Sequence, residues 1–164
     1  MTSSTKQRVP VDEAYVTLLG RAIYTFAYYE WVIIWIIEHF EPGFVRRYSR
    51  GKAMTSMPVA RTLKKVLDEP MSVFALVSKQ ELGAVQSRFE ALVHRRNALV
   101  HAHPCTGEDG AQILTYQGEL GKPLPDMRWP AGEVEALLIE IDDAACEGCI
   151  VYDRLQQPSV KKST

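Results

Sequence analysis

A chain of 164 residues is long enough to bury one sizeable core, and 46% hydrophobic with 24% charged residues is an ordinary globular composition. A net charge of −1 removes overall charge as a reason to bind nucleic acid, so any such case rests on local patches. Three cysteines, an odd number, argue against a disulfide framework.

Residues 1–9 read as a disordered lead. They are polar and lack the apolar run of a signal peptide, which makes a cytoplasmic location the expectation. Pro10 suits the first turn of a helix, and Asp12 and Glu13 suit the positive end of its dipole. This first helix is expected to run to His39 or Glu41, where Pro42-Gly43 stops it. Its apolar run, Ala22 to Ile37, is interrupted by Thr25 and Glu30. A membrane span needs roughly 20 apolar residues with few or no charges. The run therefore reads as a helix buried on nearly all sides, in a core and at an oligomer interface. Glu30, among Tyr28, Tyr29, Trp31 and Ile33, needs a partner, because a buried carboxylate without one is costly.

Residues 42–67 hold Arg46, Arg47, Arg50, Lys52, Arg61, Lys64 and Lys65 and no acid. The segment is +7, so the remaining residues sum to −8. It reads either as a solvated face or as a surface that follows a phosphate backbone. Pro58 opens a short second helix that ends near Asp68-Glu69-Pro70. Met71 to Val77 is apolar and too short to assign.

Ser78-Lys79-Gln80-Glu81 matches a capping box and starts a long helix that can run to Ala102, with Pro104 as its stop. Leu82, Val85, Phe89, Leu92, Val93, Leu99 and Val100 form its apolar stripe, with Arg96 near the centre. Another face carries Gly83, Ala84, Ser87, Ala91, His94, Asn97, Ala98 and His101. Small residues spaced in this way let another helix approach closely, so a second copy of the chain is expected there. Residues 104–130 are rich in glycine and proline, and Ile113–Tyr116 can pair with Met127–Trp129 as a hairpin. Pro130 opens the last helix, whose outer face is acidic: Glu133, Glu135, Glu140, Asp142, Asp143, Glu147 and Asp153. Residues 158–164 read as a tail. The sum is a single all-α domain over 1–164. Residues 11–157 form an up-and-down bundle of four to five helices, with 104–130 as a small loop or hairpin insert.

The densest chemistry is Arg95-Arg96-Asn97-Ala98-Leu99-Val100-His101-Ala102-His103. Histidine titrates near ~6.5 and can serve as base and then acid. Arginine forks onto phosphate oxygens, and an amide beside them can orient the imidazole. The other reading is structural, with Arg96 salt-bridged to Glu30 and His101 a polar helix end. Arg96 and His101 lie about 140° apart around an ideal helix, so they do not meet by helix geometry alone. A zinc site from His101, His103, Cys105, Cys146 and Cys149 has the right ligand types, but Cys146 and Cys149 lie within a helix and Cys105 is far along the chain. No metal or cofactor is expected.

A helical bundle whose penultimate long helix ends in Arg96-Asn97-Ala98-Leu99-Val100-His101 resembles the HEPN superfamily, with its Arg-x(4–6)-His motif and a polar residue after the arginine. Glu30 resembles the acidic residue often found in that family's first helix. The resemblance covers roughly residues 11–157 and departs from the pattern in the 105–129 insert. It implies a homodimer whose paired motifs share one cleft, and a metal-independent endoribonuclease with RNA as its substrate. By the same resemblance His101 is the acid and base, Arg96 stabilises the phosphate and Asn97 assists. Glu30, Arg95, His94 and His103 would support them. A toxin or defence role, with an antitoxin or nucleotidyltransferase-like protein as partner, goes with that family. The alternative is a non-catalytic dimeric module that binds a nucleotide or a protein.

Overall fold

A computed structural model describes residues 12–50, 55–70, 76–118, 121 and 124–157. The expectations for Pro10, for the tails 1–9 and 158–164, for Lys52 and for residues 71–75 lie outside these. The described chain is a helical bundle with a small antiparallel sheet placed before the last helix.

Helix α1 (Glu13–Phe40) starts where the Asp12 carboxylate accepts the Tyr15 N–H at 2.9 Å. It stops before Gly43, whose φ of +92° is open to glycine and strained for most other residues. A short helix α2 (Phe44–Arg50) follows within the basic segment, ahead of Pro58, where the sequence reading places the next helix. The Glu38 carboxylate accepts from Gly43 N at 2.8 Å and Val45 N at 2.7 Å, and so caps α2 from the end of α1. Those backbone donors hold its pKa below the ordinary carboxylate value. Phe44 is buried and fixes α2 to the core.

Helix α3 (Ser56–Val66) begins two residues before Pro58, which falls in its first turn as its missing N–H requires. Helix α4 (Lys79–Val100) has the complete capping box. Ser78 Oγ accepts from Glu81 N at 3.1 Å, and the Glu81 carboxylate accepts from Ser78 N at 3.0 Å. It ends at Val100, with His101 as its cap, two residues short of the expected Ala102. Val100, placed on the apolar stripe from its spacing, is 50% exposed, because the helix ends before anything packs over that position.

The chain then forms β1 (His103–Thr106), β2 (Gln112–Tyr116) and β3 (Met127–Trp129), in the order β1-β2-β3. The expected pairing is present, with Leu114 opposite Trp129 and Tyr116 opposite Met127. β1 adds a third strand, with His103 opposite Thr115. Tyr15 joins this sheet to the bundle: its hydroxyl donates to Trp129 O at 2.5 Å and accepts from Leu114 N at 3.1 Å. The Trp129 ring is fully buried above that junction.

Helix α5 (Ala131–Leu155) starts after Pro130. It runs parallel to α1: Tyr15 meets Trp129 at one end and Trp35 meets Tyr152 at the other. Gly148 permits this approach, since a Cβ there would lie 3.2 Å from Tyr29 Cε2 and 3.3 Å from Val32 Cγ1. α4 runs antiparallel to both. Against α1, Tyr29 packs edge-on to Phe89 and Phe26 stacks beside it. Against α5, three ion pairs step along the seam: Glu81–Arg154, Arg88–Glu147 and Arg95–Glu140. Each step is seven residues on both helices, two turns, which returns the charges to one face. Among the described residues no helix is long and apolar enough to cross a membrane.

Candidate functional site

The motif sits at the C-terminal end of α4, where α1 and α3 converge on one side and α5 and the sheet on the other. The two arginines part company there. Arg95 turns to α5, pairs with Glu140, and lies with its guanidinium carbon 5.9 Å from the Trp129 ring centre. Arg96 turns the other way. Its Nη2 donates to Ser56 Oγ at the start of α3, and its guanidinium carbon lies 4.5 Å from the Phe26 ring centre on α1. Burial pulls the Arg96 pKa below its ordinary value, with Glu30 and Tyr48 pulling it back up. Arg96 therefore sits near the centre of the apolar stripe, as its spacing implied, and its neighbours are Ser56, Phe26 and Tyr48.

Glu30 occupies the same region without a direct ion pair. Its charge acts on Arg96 and Tyr48, yet among the described residues its Oε1 is buried with no hydrogen-bond partner. Arg96 Nε is orphaned in the same way. The expected Glu30–Arg96 salt bridge is thus an electrostatic neighbourhood and not a contact. Two buried polar atoms without partners make this a tense point of the core.

Asn97 and His101 lie on a different face of α4. His101 caps the helix, its N–H donating to Asn97 O at 3.0 Å, and its imidazole is exposed. Asn97 and His94 are half-buried, and His103 is exposed at the start of β1. Neither arginine touches His101 among the described residues, so the angular separation read from the sequence is real. Ala84, Ser87 and Ala91 are exposed on this side, and Ala98 is buried. Among the described residues the small-residue face is therefore uncovered at Ala84, Ser87 and Ala91, partly covered at His94 and Asn97, and covered at Ala98.

Comparison with protein-family models, with curated proteins and with solved structures finds no match. The chemistry of the site stands on its own residues.

The basic segment divides between two helices. Arg46, Arg47 and Arg50 are exposed on α2, and Arg61, Lys64 and Lys65 on α3. Arg47 is drawn into an ion pair with Glu41 and lies 5.7 Å from the Phe44 ring centre, which leaves it less available than the others. The segment adjoins the arginine end of the motif, because Ser56 of α3 holds Arg96. Among the described residues no group of three His, Cys, Asp or Glu side chains is placed to hold a metal ion. Cys105 is beside Thr115 on the sheet, and Cys149 is 3.6 Å from the Tyr28 hydroxyl on α1.

Ser56, Phe26, Glu140 and Trp129 shape this site and were not singled out from the sequence. Glu140 carried a readable signal: Glu81, Arg88 and Arg95 repeat every seven residues, as do Glu140, Glu147 and Arg154, in opposite sign order. Ser56 and Phe26 carried none, since nothing local marks a serine as the partner of an arginine 40 residues on.

Proposed function

We propose that the chain is a HEPN-type, metal-independent endoribonuclease acting as a homodimer in the cytoplasm. What supports the reading is the placement of His101 and Asn97, exposed and half-buried one turn apart, on a face of α4 that the described residues leave open at Ala84, Ser87, Ala91 and His101. Pairing two copies with their α4 helices side by side in the same direction through Ala84, Ser87 and Ala91 would bring the two His101 side chains toward one cleft.

One imidazole then takes the proton from a ribose 2′-hydroxyl. The freed oxygen attacks the adjacent phosphorus, and the bond to the 5′ oxygen breaks. The second imidazole, protonated, gives its proton to that leaving oxygen. The products are a 2′,3′-cyclic phosphate and a 5′-hydroxyl. Asn97 orients the imidazole. In this reading Arg96, one of whose guanidinium nitrogens is engaged by Ser56, stabilises the phosphate with the other. The exposed cations of α2 and α3 track the RNA backbone. A toxin or defence role with an antitoxin partner fits this chemistry.

The test is incubation of purified protein with RNA in EDTA. The reading predicts cleavage that leaves cyclic phosphate ends; RNA left intact, across structured and unstructured substrates, contradicts it. One observation favours a second reading, a non-catalytic dimeric module that binds a nucleotide or a protein. Both arginines of the motif are tied into the fold, Arg95 by Glu140 and Arg96 by Ser56 and Phe26.

A further inference from the structure

Phe26 and Tyr29 turn one side of α1 into the core. The opposite side carries aromatic residues that the described chain covers only in part, Tyr28 by Cys149 and Trp31 by Trp35 and Tyr48. Tyr24 is 77% exposed, Tyr28 52% and Trp31 41%, and Gly20 and Ala27 are exposed among them. At ~100° per residue these five fall within an arc of about 100°. The face continues into a groove against α5, where Trp35 and Tyr152 meet.

We propose that this face binds a second copy of the chain, with the two α1 helices antiparallel and crossing between residues 24 and 27. The pattern of sizes supports it. Gly20 and Ala27 are seven residues apart, and so are Tyr24 and Trp31. About a two-fold axis at that crossing, Tyr24 of one copy meets Ala27 of the other, and Trp31 meets Gly20. Tyr24 and Trp31 thus each find a small residue, as a self-complementary interface favours, while Tyr28 lies at the edge of the arc and faces Ile23.

Charge selects the same occupant. Between Gly20 and Trp31 the charged residues are Arg21 at the edge of the face and Glu30, turned toward Arg96 and Tyr48. A nearly neutral face offers little to RNA or to a charged partner and does not repel its own copy. Area agrees as well. A fully buried aromatic side chain contributes about 150–250 Å², so Tyr24, Tyr28 and Trp31 still expose on the order of 300–400 Å² per copy. Two copies bring roughly 700 Å² from these residues alone, toward the about 1,200 Å² at which specific interfaces begin. The small residues between them and the rim of the groove enlarge it further. This contact leaves the small-residue face of α4 free, because α1 and α4 meet through their opposite sides.

Light scattering on the full chain tests the proposal, with Tyr24→Arg, Ala27→Arg and Ser87→Arg beside the wild type. All three positions are exposed, and thermal melts confirm that each variant folds. The proposal predicts that Tyr24→Arg and Ala27→Arg each halve the mass of the wild-type assembly. In a background with Cys105, Cys146 and Cys149 changed to serine, a mixture of Tyr24→Cys and Ala27→Cys chains should oxidise to a linked pair faster than either variant alone. A single-chain mass for the wild type overturns the proposal, as does a mass that neither α1 variant changes. Equal linking rates in the three samples overturn the crossing. A loss of mass caused by Ser87→Arg alone overturns it too, while leaving the α4 pairing and the ribonuclease reading intact.

Discussion

Arg95 and Arg96, adjacent in the chain, are held on opposite sides of α4: one by Glu140 of α5, the other by Ser56 of α3. Side chains one residue apart on a helix diverge by ~100°, so a pair of arginines at this point can fasten α4 to two neighbours at once. The motif is therefore both a candidate for chemistry and a joint in the fold, and the two roles can be separated by mutation.

Arg96→Ala should destabilise the fold. It removes the Ser56 hydrogen bond and the cation over Phe26, and it leaves the buried Glu30 carboxylate without its nearest positive charge. The combined loss should be about 2–3 kcal/mol in urea unfolding. Arg96→Lys should recover only part of it, since an ammonium cannot both stack and fork. A loss below about 0.5 kcal/mol would show that Arg96 does not anchor the helix.

The three ion pairs between α4 and α5 should differ in weight. Arg95–Glu140 is the least exposed, at 25% and 39%, and lies against Trp129. A double-mutant cycle on it should give about 1 kcal/mol, falling as salt is raised. Arg88–Glu147 should give less, its glutamate being 58% exposed. Equal coupling for both, insensitive to salt, would contradict this ranking.

Glu81 links the α4 cap to acid stability. Its hydrogen bonds from the Ser78 side chain and backbone, and then from Arg154, pull its pKa down to about 2 from 4.5. A carboxylate with a depressed folded pKa stabilises the fold above its unfolded pKa, and that contribution is lost as pH falls from 4.5 through 2. NMR titration of the Glu81 side chain should show a midpoint near the lower value in the wild type. Ser78→Ala should move it upward and cost about 1 kcal/mol of helix capping. An unmoved midpoint would mean that Ser78 is not its main partner.

Gly148→Ala should lower stability even though alanine is the better helix former by about 1 kcal/mol. Its Cβ would press on Tyr29 and Val32, both buried, at 3.2 and 3.3 Å. Overpacking of this kind costs about 1–3 kcal/mol, so a net loss of about 1 kcal/mol is expected from thermal or urea melts. Gly132→Ala, with open space around it, should shift stability slightly the other way. A gain at Gly148 would mean that α1 and α5 can part without cost.

Local signals carried much of the fold. The Ser78 cap, Pro130 and the pairing of 113–116 with 127–129 are each written within a few residues, and each is found where the sequence places it. α2 was not legible, because what caps it is Glu38 on the preceding helix and what holds it is the burial of Phe44. β1 was hidden for a similar reason: a strand of His, Pro, Cys and Thr, fully exposed, has no apolar alternation to reveal it. At the site, spacing placed Arg96 in the apolar stripe and His101 away from it. Which neighbour each arginine takes depends on the register of α3 and α5 against α4, and that is set by packing across the whole bundle.

RNA cleavage in EDTA by wild type and His101→Ala, side by side, tests the central claim most directly. His101 is exposed and its imidazole supports nothing else in the described chain, so the variant should fold as the wild type does. Loss of a general acid and base should slow cleavage on the order of 100-fold or more and abolish the cyclic phosphate ends. Cleavage at the wild-type rate by His101→Ala would contradict the assignment.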